Sequence, residues 1–273
     1  MPQAIQVQLQ RFVKKRPVEQ LASIRWWLGY FYSSLLARVL FGVFSWHPRG
    51  NQPVYMAFYP ESLRRDPSIR DSFKRWIRGN KVNNNGDSAR FISLLLNVRK
   101  AMEDGIEGDI AELGVWKGNS AALLAQAAKQ YGRTLILFDT FEGFDRRDLR
   151  GMDSKSPEGQ FRDTSIDYVK ETIGSEPCVR YIKGFFPESI PNDLRDYRFS
   201  VVHIDCDLYD PMKAALEFFY PRMTKRGLLM MHDYHSGAWP GATKAINEFC
   251  AATGEALILL PDKSGTALIR KST

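Results

Sequence analysis

Two stretches of the 273-residue chain concentrate groups able to do chemistry: His203-Ile204-Asp205-Cys206-Asp207-Leu208-Tyr209 and His232-Asp233-Tyr234-His235. Each closes an apolar run of the composition expected of a buried strand. Continuing the two-residue alternation of the first strand to 207 puts Asp205 and Asp207 on one face and Cys206 on the other. If the two strands are neighbours, four or five polar groups meet at one mouth. Carboxylates clustered in this way favour a hard divalent ion such as Mg²⁺. Such an ion would hold a substrate diol and acidify the hydroxyl to be modified. A remaining acid or imidazole, drawn from Asp207, His232 and His235, would take the proton.

A second constellation lies upstream. The stretch Glu112-Leu113-Gly114-Val115-Trp116-Lys117-Gly118-Asn119-Ser120 leaves a strand and opens a helix. Gly114 and Gly118 let the turn pass close under a ligand, and the helix start at Ser120 offers amides and a positive dipole end to a carboxylate. The turn lacks the full glycine pattern of a dinucleotide site. Asp139, in Phe138-Asp139-Thr140-Phe141-Glu142, ends the next strand, where an acid can accept hydrogen bonds from both hydroxyls of a ribose. A diphosphate would be repelled by these acids, whereas a sulfonium cation tolerates them.

All of these residues sit at strand ends, so the elements must bring those ends together. Apolar strands over 109–115, 134–140, 179–184, 199–207 and 227–233 are joined through helices over 118–131, 212–223 and 241–254. That rhythm predicts a mostly parallel sheet covered on both faces. Segments 256–261 and 266–271 are expected to close the chain as an antiparallel pair. In such sheets, ligands bind beyond the carboxyl ends of the strands, where strand order reverses. A helix capped by Asp87 or Ser88 precedes the first strand. SIRDSFKRWIRG (68–79) reads as a short basic helix able to reach a partner subunit's site, and residues 141–165 read as a long lid.

The charge is unevenly spread. Residues 1–50 carry seven bases against Glu19 alone, a net of +6, while the remaining residues carry 31 bases and 30 acids, a net of +1. The body therefore lacks the basic face of a nucleic-acid enzyme, and no nucleic-acid partner is expected. Residues 21–46 are apolar almost all round, with Arg25 and Arg38 as their charges and Trp26, Trp27, Tyr30, Phe31 and Tyr32 among them. They suit an in-plane helix at a membrane surface or a helix packed on protein or across a dimer; a true span is disfavoured by Arg38. Cys178, Cys206 and Cys250 are scattered and odd in number. They form no disulfide or zinc pattern, so a reducing cytoplasm is expected, with peripheral contact at the inner membrane face as an extension of that reading.

Over residues 86–271 the chain resembles the macrocin O-methyltransferase family, which includes sugar O-methyltransferases of macrolide and novobiocin biosynthesis. The resemblance rests on AELGVWKGNS, LFDTFEGF, the triplet Asp163-Thr164-Ser165, IKGFFPESIP, HIDCDLYDP, MHDY and PGATKAINEF in that order. It implies an α/β fold of the class I methyltransferase type, Rossmann-like and mostly parallel with an antiparallel C-terminal strand. Residues 86–273 would be that domain, and residues 1–85 a helical extension and connector. It further implies S-adenosylmethionine, a Mg²⁺-type ion and a sugar hydroxyl as acceptor; the membrane-surface reading of residues 21–46 would make that acceptor a glycolipid or lipid-linked sugar, and a homo-oligomer is expected. The implied cofactor residues are Glu112, Gly114, Gly118 and Ser120 at the turn, Asp139 at the ribose, Ser165 nearby, and Asp205. Asp205 and Asp233 match family metal ligands, and Asp207 matches the family's candidate base. The chain departs from the family at His232, where a second acid is usual. Imidazole is a poor Mg²⁺ ligand, so His232 points to Mn²⁺ or another transition ion, or to a base. The competing readings are a non-catalytic scaffold that binds the cofactor at a membrane surface, and a catechol-type O-methyltransferase.

Overall fold

The computed structural model describes residues 67–79 and 87–272. Every described residue belongs to one compact unit within residues 55–273. The expectations for residues 21–46, and for the extension and connector over 1–85 apart from residues 67–79, lie outside the described residues.

Five strands run parallel: β1 (Asp109–Leu113), β2 (Leu135–Asp139), β3 (Val179–Lys183), β4 (Phe199–Ile204) and β5 (Met223–Met231). The chain builds outward from β1 through β2 to β3, then returns to lay β4 and β5 on the other side of β1. Strand order thus reverses between β1 and β4. The last two strands, β6 (Ile258–Leu260) and β7 (Thr266–Arg270), form the expected antiparallel pair. What the pattern did not reveal is that β7 inserts between β5 and β6, giving the order β3-β2-β1-β4-β5-β7-β6. Burial explains it: Thr266 through Ile269 are all buried, whereas Ile258 and Leu259 remain about half exposed on the short edge strand. Short edges resist unwanted strand pairing.

Helices cover both faces. On one side lie α1 (Pro67–Gly79), α2 (Ser88–Glu103), α3 (Asn119–Tyr131) and α4 (Ile166–Ile173), with Ile69, Phe91, Leu94, Leu124 and Val169 packed onto Ile110, Leu137 and Val201. On the other, α5 (Tyr209–Arg222) and α6 (Pro240–Thr253) pack Met212, Leu216, Phe219 and Ile246 onto Phe138, Val202 and Met231. Asp87 caps α2, its carboxylate accepting from the Arg90 amide at 3.1 Å. Phe91, Leu94, Leu95, Val98, Ala101 and Met102 then form the buried stripe that helical spacing requires. Helix α1 buries Ile69 and Trp76 in the core of its own chain.

One local expectation fails. β4 stops at Ile204, and Asp207 has a left-handed backbone with φ +62. The placement of Asp205 and Asp207 therefore comes from a turn into α5, not from strand alternation.

Candidate active site

A cavity of about 450 Å³ opens at the reversal of strand order, beyond the carboxyl ends of β1, β2, β4 and β5. Its floor is made by close approach of backbones. Gly114, at φ +85, leaves β1 so tightly against β4 that a Cβ there would lie 1.9 Å from the Asp205 carbonyl oxygen. The Asp205 amide donates to the Leu113 carbonyl at 2.8 Å, and the Gly114 amide to that of Phe138 at 3.0 Å. Gly118 enters α3 at φ +78 with no side-chain cap, which leaves the first amides of the helix beside Asn119 and Ser120, both cavity residues. Those amides and the helix dipole suit an anion.

Asp139 lines the same space but is already engaged. Its Oδ2 accepts from the Val115 and Trp116 amides at 2.7 and 2.9 Å, and its Oδ1 from the Phe141 amide at 2.6 Å. A carboxylate accepts about four hydrogen bonds, so one position on Oδ1 is left for a ribose hydroxyl. Its observed work is to clamp the turn after β1 onto the turn after β2. From outside, Asp163 holds the Trp116 indole and the Lys117 ammonium, while the Thr164 hydroxyl donates to the Trp116 carbonyl. Ser165 caps α4, accepting from the Tyr168 amide, and does not line the cavity. The triplet thus fixes the turn and not the ligand.

At the other end, Asp205, His232 and Asp233 offer donor atoms that lie within 4.8 Å of one another. His232 Nδ1 sits 3.0 Å from Asp205 Oδ1 and 2.8 Å from Asp233 Oδ2. The second Asp205 oxygen accepts from Arg90 of α2. Burial opposes ionisation of Asp205, yet Arg90 and then His232 hold its carboxyl well below the usual carboxylate range. Burial and the Arg90 charge oppose protonation of His232, but Asp205 and Asp233 prevail and raise it to about 10. Asp207 is pushed well above its ordinary value by burial and then by Asp233 and Asp205, and it shares a hydrogen bond with Asp233. Arg90, Asp205, His232, Asp233 and Asp207 form one cluster of opposed charges at the cavity.

Besides Gly118 and Ser165, two further predicted site residues lie outside the cavity lining. Glu112 is fully buried behind the cavity, its Oε1 2.8 Å from His203 Nδ1, because the two are register partners on β1 and β4. His235 is exposed in the turn after β5, facing a shallow surface depression, with Gly265 against its Cβ. It does not line the cavity that holds the cluster.

Several cavity residues escaped the sequence reading. Arg90 and Trp76 come from helices ahead of β1, and Asp148, raised to about 7 by burial and then by Asp210 and Asp145, comes from the connection after β2. That connection is pinned and not loose: the Phe144 amide donates to the Gln160 carbonyl and the Gly159 amide to the Phe144 carbonyl, both at 3.0 Å. It brings Phe144 and Phe161 against Trp116 and Trp239, with ring centroids 5.0 to 6.3 Å apart. The result is an aromatic wall facing the carboxylates. Only the run of aromatics in 141–161 hinted at it.

A family model described as macrocin O-methyltransferase (TylF) matches residues 86–258. The mycinamicin III 3''-O-methyltransferase of Micromonospora griseorubida is 28% identical over 166 residues, 56% of this chain and 64% of the relative. The demethyldecarbamoylnovobiocin O-methyltransferase of Streptomyces niveus is 26% identical over 176 residues, 59% of this chain and 66% of the relative. The chain thus spans a little under two thirds of the length of these curated relatives. Among solved structures, the O-methyltransferase NovP superposes with a TM-score of 0.56 at 23% identity, over 67% of this chain and 81% of its own. A calicheamicin methyltransferase superposes with a TM-score of 0.57 at 21% identity, over 82% and 98%. The structural likeness carries the class I methyltransferase fold. With the family model spanning well over half of its length, this chain belongs to the macrocin O-methyltransferase family.

Proposed function

We propose that this protein transfers the methyl group of S-adenosylmethionine to a sugar hydroxyl. The observation that carries the reading is that one cavity joins the Gly114–Ser120 turn to the Asp205–Asp207–His232–Asp233 cluster. Methyl donor and acceptor oxygen can therefore meet without leaving the protein. The cofactor's adenosine lies along Asp139, and its carboxylate lies toward the uncapped start of α3. The acceptor lies between the aromatic wall and the carboxylates, which offer an apolar face to the ring and hydrogen-bond acceptors to its hydroxyls. Relatives named as O-methyltransferases of mycinamicin III, of a rhamnosyl tetracenomycin and of demethyldecarbamoylnovobiocin support this choice of acceptor.

Asp205 Oδ1, Asp233 Oδ2 and His232 Nδ1 are the atoms that would hold a divalent ion, which when bound supplies Lewis acidity to the acceptor hydroxyl. His232 Nδ1 lies 2.8 and 3.0 Å from the two carboxylate oxygens, so an ion held by these atoms would take the place of the imidazole proton that they share, and its binding would weaken at low pH. A nitrogen in the set favours Mn²⁺ or a later transition ion over Mg²⁺. Asp207 is the acid left to receive the hydroxyl proton. Fixing the two reactants in line supplies up to about 7–11 kcal/mol of the barrier reduction.

Calorimetric titration with S-adenosylmethionine, followed by methyl transfer to nucleotide-linked and glycosidic deoxysugars, tests the proposal. One cofactor per chain and a methylated sugar are expected. Stripping metal should suppress turnover, with Mn²⁺ restoring it better than Mg²⁺. Absence of cofactor binding overturns the function, and turnover indifferent to chelation overturns the metal's part alone.

The composition of residues 21–46 supports a finer reading, an acceptor carried on lipid at an anionic membrane surface. Flotation with anionic vesicles should be lost on deleting residues 1–50. Flotation that survives the deletion, or that never occurs, discards this extension.

A further inference from the structure

We propose that Arg90 is the residue that binds the carboxylate of the cofactor's methionine moiety. This deepens the cofactor reading above and rests on it. Arg90 lines the cavity from the first turn of α2, with its side chain 13% exposed. Its Nη2 donates to Asp205 Oδ2, yet its buried Nε has no hydrogen-bond partner among the described residues. A guanidinium presents five donors in a rigid fork, and a buried donor left unmatched is costly. A second carboxylate arriving from the cavity that Arg90 lines would supply the acceptor that is missing.

The position of the fork names that carboxylate. The guanidinium carbon lies 5.8 Å from the centre of the Trp76 ring, and the Trp76 carbonyl accepts from Asn119 Nδ2 at 3.3 Å. Asn119 is the first residue of α3, whose N-terminus has no side-chain cap. Trp76 therefore links Arg90 to the start of α3 along one side of the cavity. The other permanent cations lining the cavity are less suited: Lys117 is paired with Asp163, and Lys263 is exposed. Asp205 keeps its own partner in His232, so Arg90 can share its donors between two acids. This ties the arrival of the cofactor to the carboxylate that orients the cluster.

The test compares S-adenosylhomocysteine with its decarboxylated analogue, which differs by the carboxylate alone, by calorimetry on the full chain. Arg90→Ala should weaken S-adenosylhomocysteine by about tenfold to a hundredfold, as for loss of a charge-assisted hydrogen bond, and leave the analogue within about twofold. Arg90→Lys, which keeps the charge and loses the fork, should fall between and guards against a variant that does not fold. Equal weakening of both ligands makes Arg90 a purely structural partner of Asp205 and overturns the assignment, as does no weakening of either. If the wild-type protein binds neither ligand, the cofactor reading itself falls.

Discussion

Gly114→Ala is expected to abolish cofactor binding and to bring the protein to the edge of unfolding. The new methyl would lie 1.9 Å from the Asp205 carbonyl oxygen, and φ +85 is a conformation that alanine resists. Neither neighbour can yield cheaply. The Asp205 amide is tied to Leu113 and the Gly114 amide to Phe138, so relief of the clash breaks the join of β1 with β4 or with β2. Backbone strain of about 1–3 kcal/mol adds to overpacking of about 1–3 kcal/mol. The sum is a large part of the roughly 5–15 kcal/mol that holds a domain folded. Gly132→Ala is the control, since Gly132 also has a positive φ but a Cβ there meets nothing within 4 Å; it should cost about 1–2 kcal/mol. Thermal unfolding and S-adenosylmethionine titration of both variants check this. A Gly114→Ala protein that melts and binds like Gly132→Ala would show that the β1–β4 contact is not what shapes the floor.

Asp205→Ala is expected to abolish turnover and also to destabilise the protein. The second effect follows from the ion pair. With Asp205 gone, Arg90 keeps a permanent charge in a site where its side chain is 13% exposed, and His232 loses one of its two acids. Removing one member of a buried pair costs about 3–5 kcal/mol, and partial access of water places this case near the lower figure. Arg90→Met in the Asp205→Ala background should recover much of that stability, because it removes the stranded charge, without recovering turnover. Urea denaturation and methyl-transfer assays on the two singles and the double separate these effects. Stability effects that simply add would mean that Arg90 and Asp205 are not coupled. Full turnover in Asp205→Ala would remove Asp205 from the chemistry.

The strands and helices were legible because each is a local pattern. Apolar runs bounded by turns gave the five parallel strands, and the stripe from Phe91 to Met102 gave α2, cap included. Residues at strand ends and at the start of α3 were also legible as a class: Gly114, Ser120, Asp139, Asp205, Asp207, His232 and Asp233 all line one cavity. Errors came where neighbours in sequence diverge in space. His235 follows Asp233 by two residues, yet the turn carries it to the surface beside Gly265. Glu112 precedes Gly114 by two, yet it is directed behind the cavity by pairing with His203. Ser165 belongs to a conspicuous triplet that braces the turn from outside.

What the sequence determined by itself was therefore the set of elements and the fact that acids, imidazoles and glycines end the strands, since hydrophobic period and turn chemistry act over a few residues. Only the tertiary structure decided which of those groups share a space and in what state of charge. Arg90 meets Asp205 across 115 positions of sequence, and Phe144 and Phe161 close on Trp239 through a loop with no periodic signal. The insertion of β7 beside β5 is of the same kind, because strand pairing depends on burial across the whole sheet. The charge of a buried acid or imidazole depends on partners a few ångströms away, and the order of residues along the chain does not specify those distances.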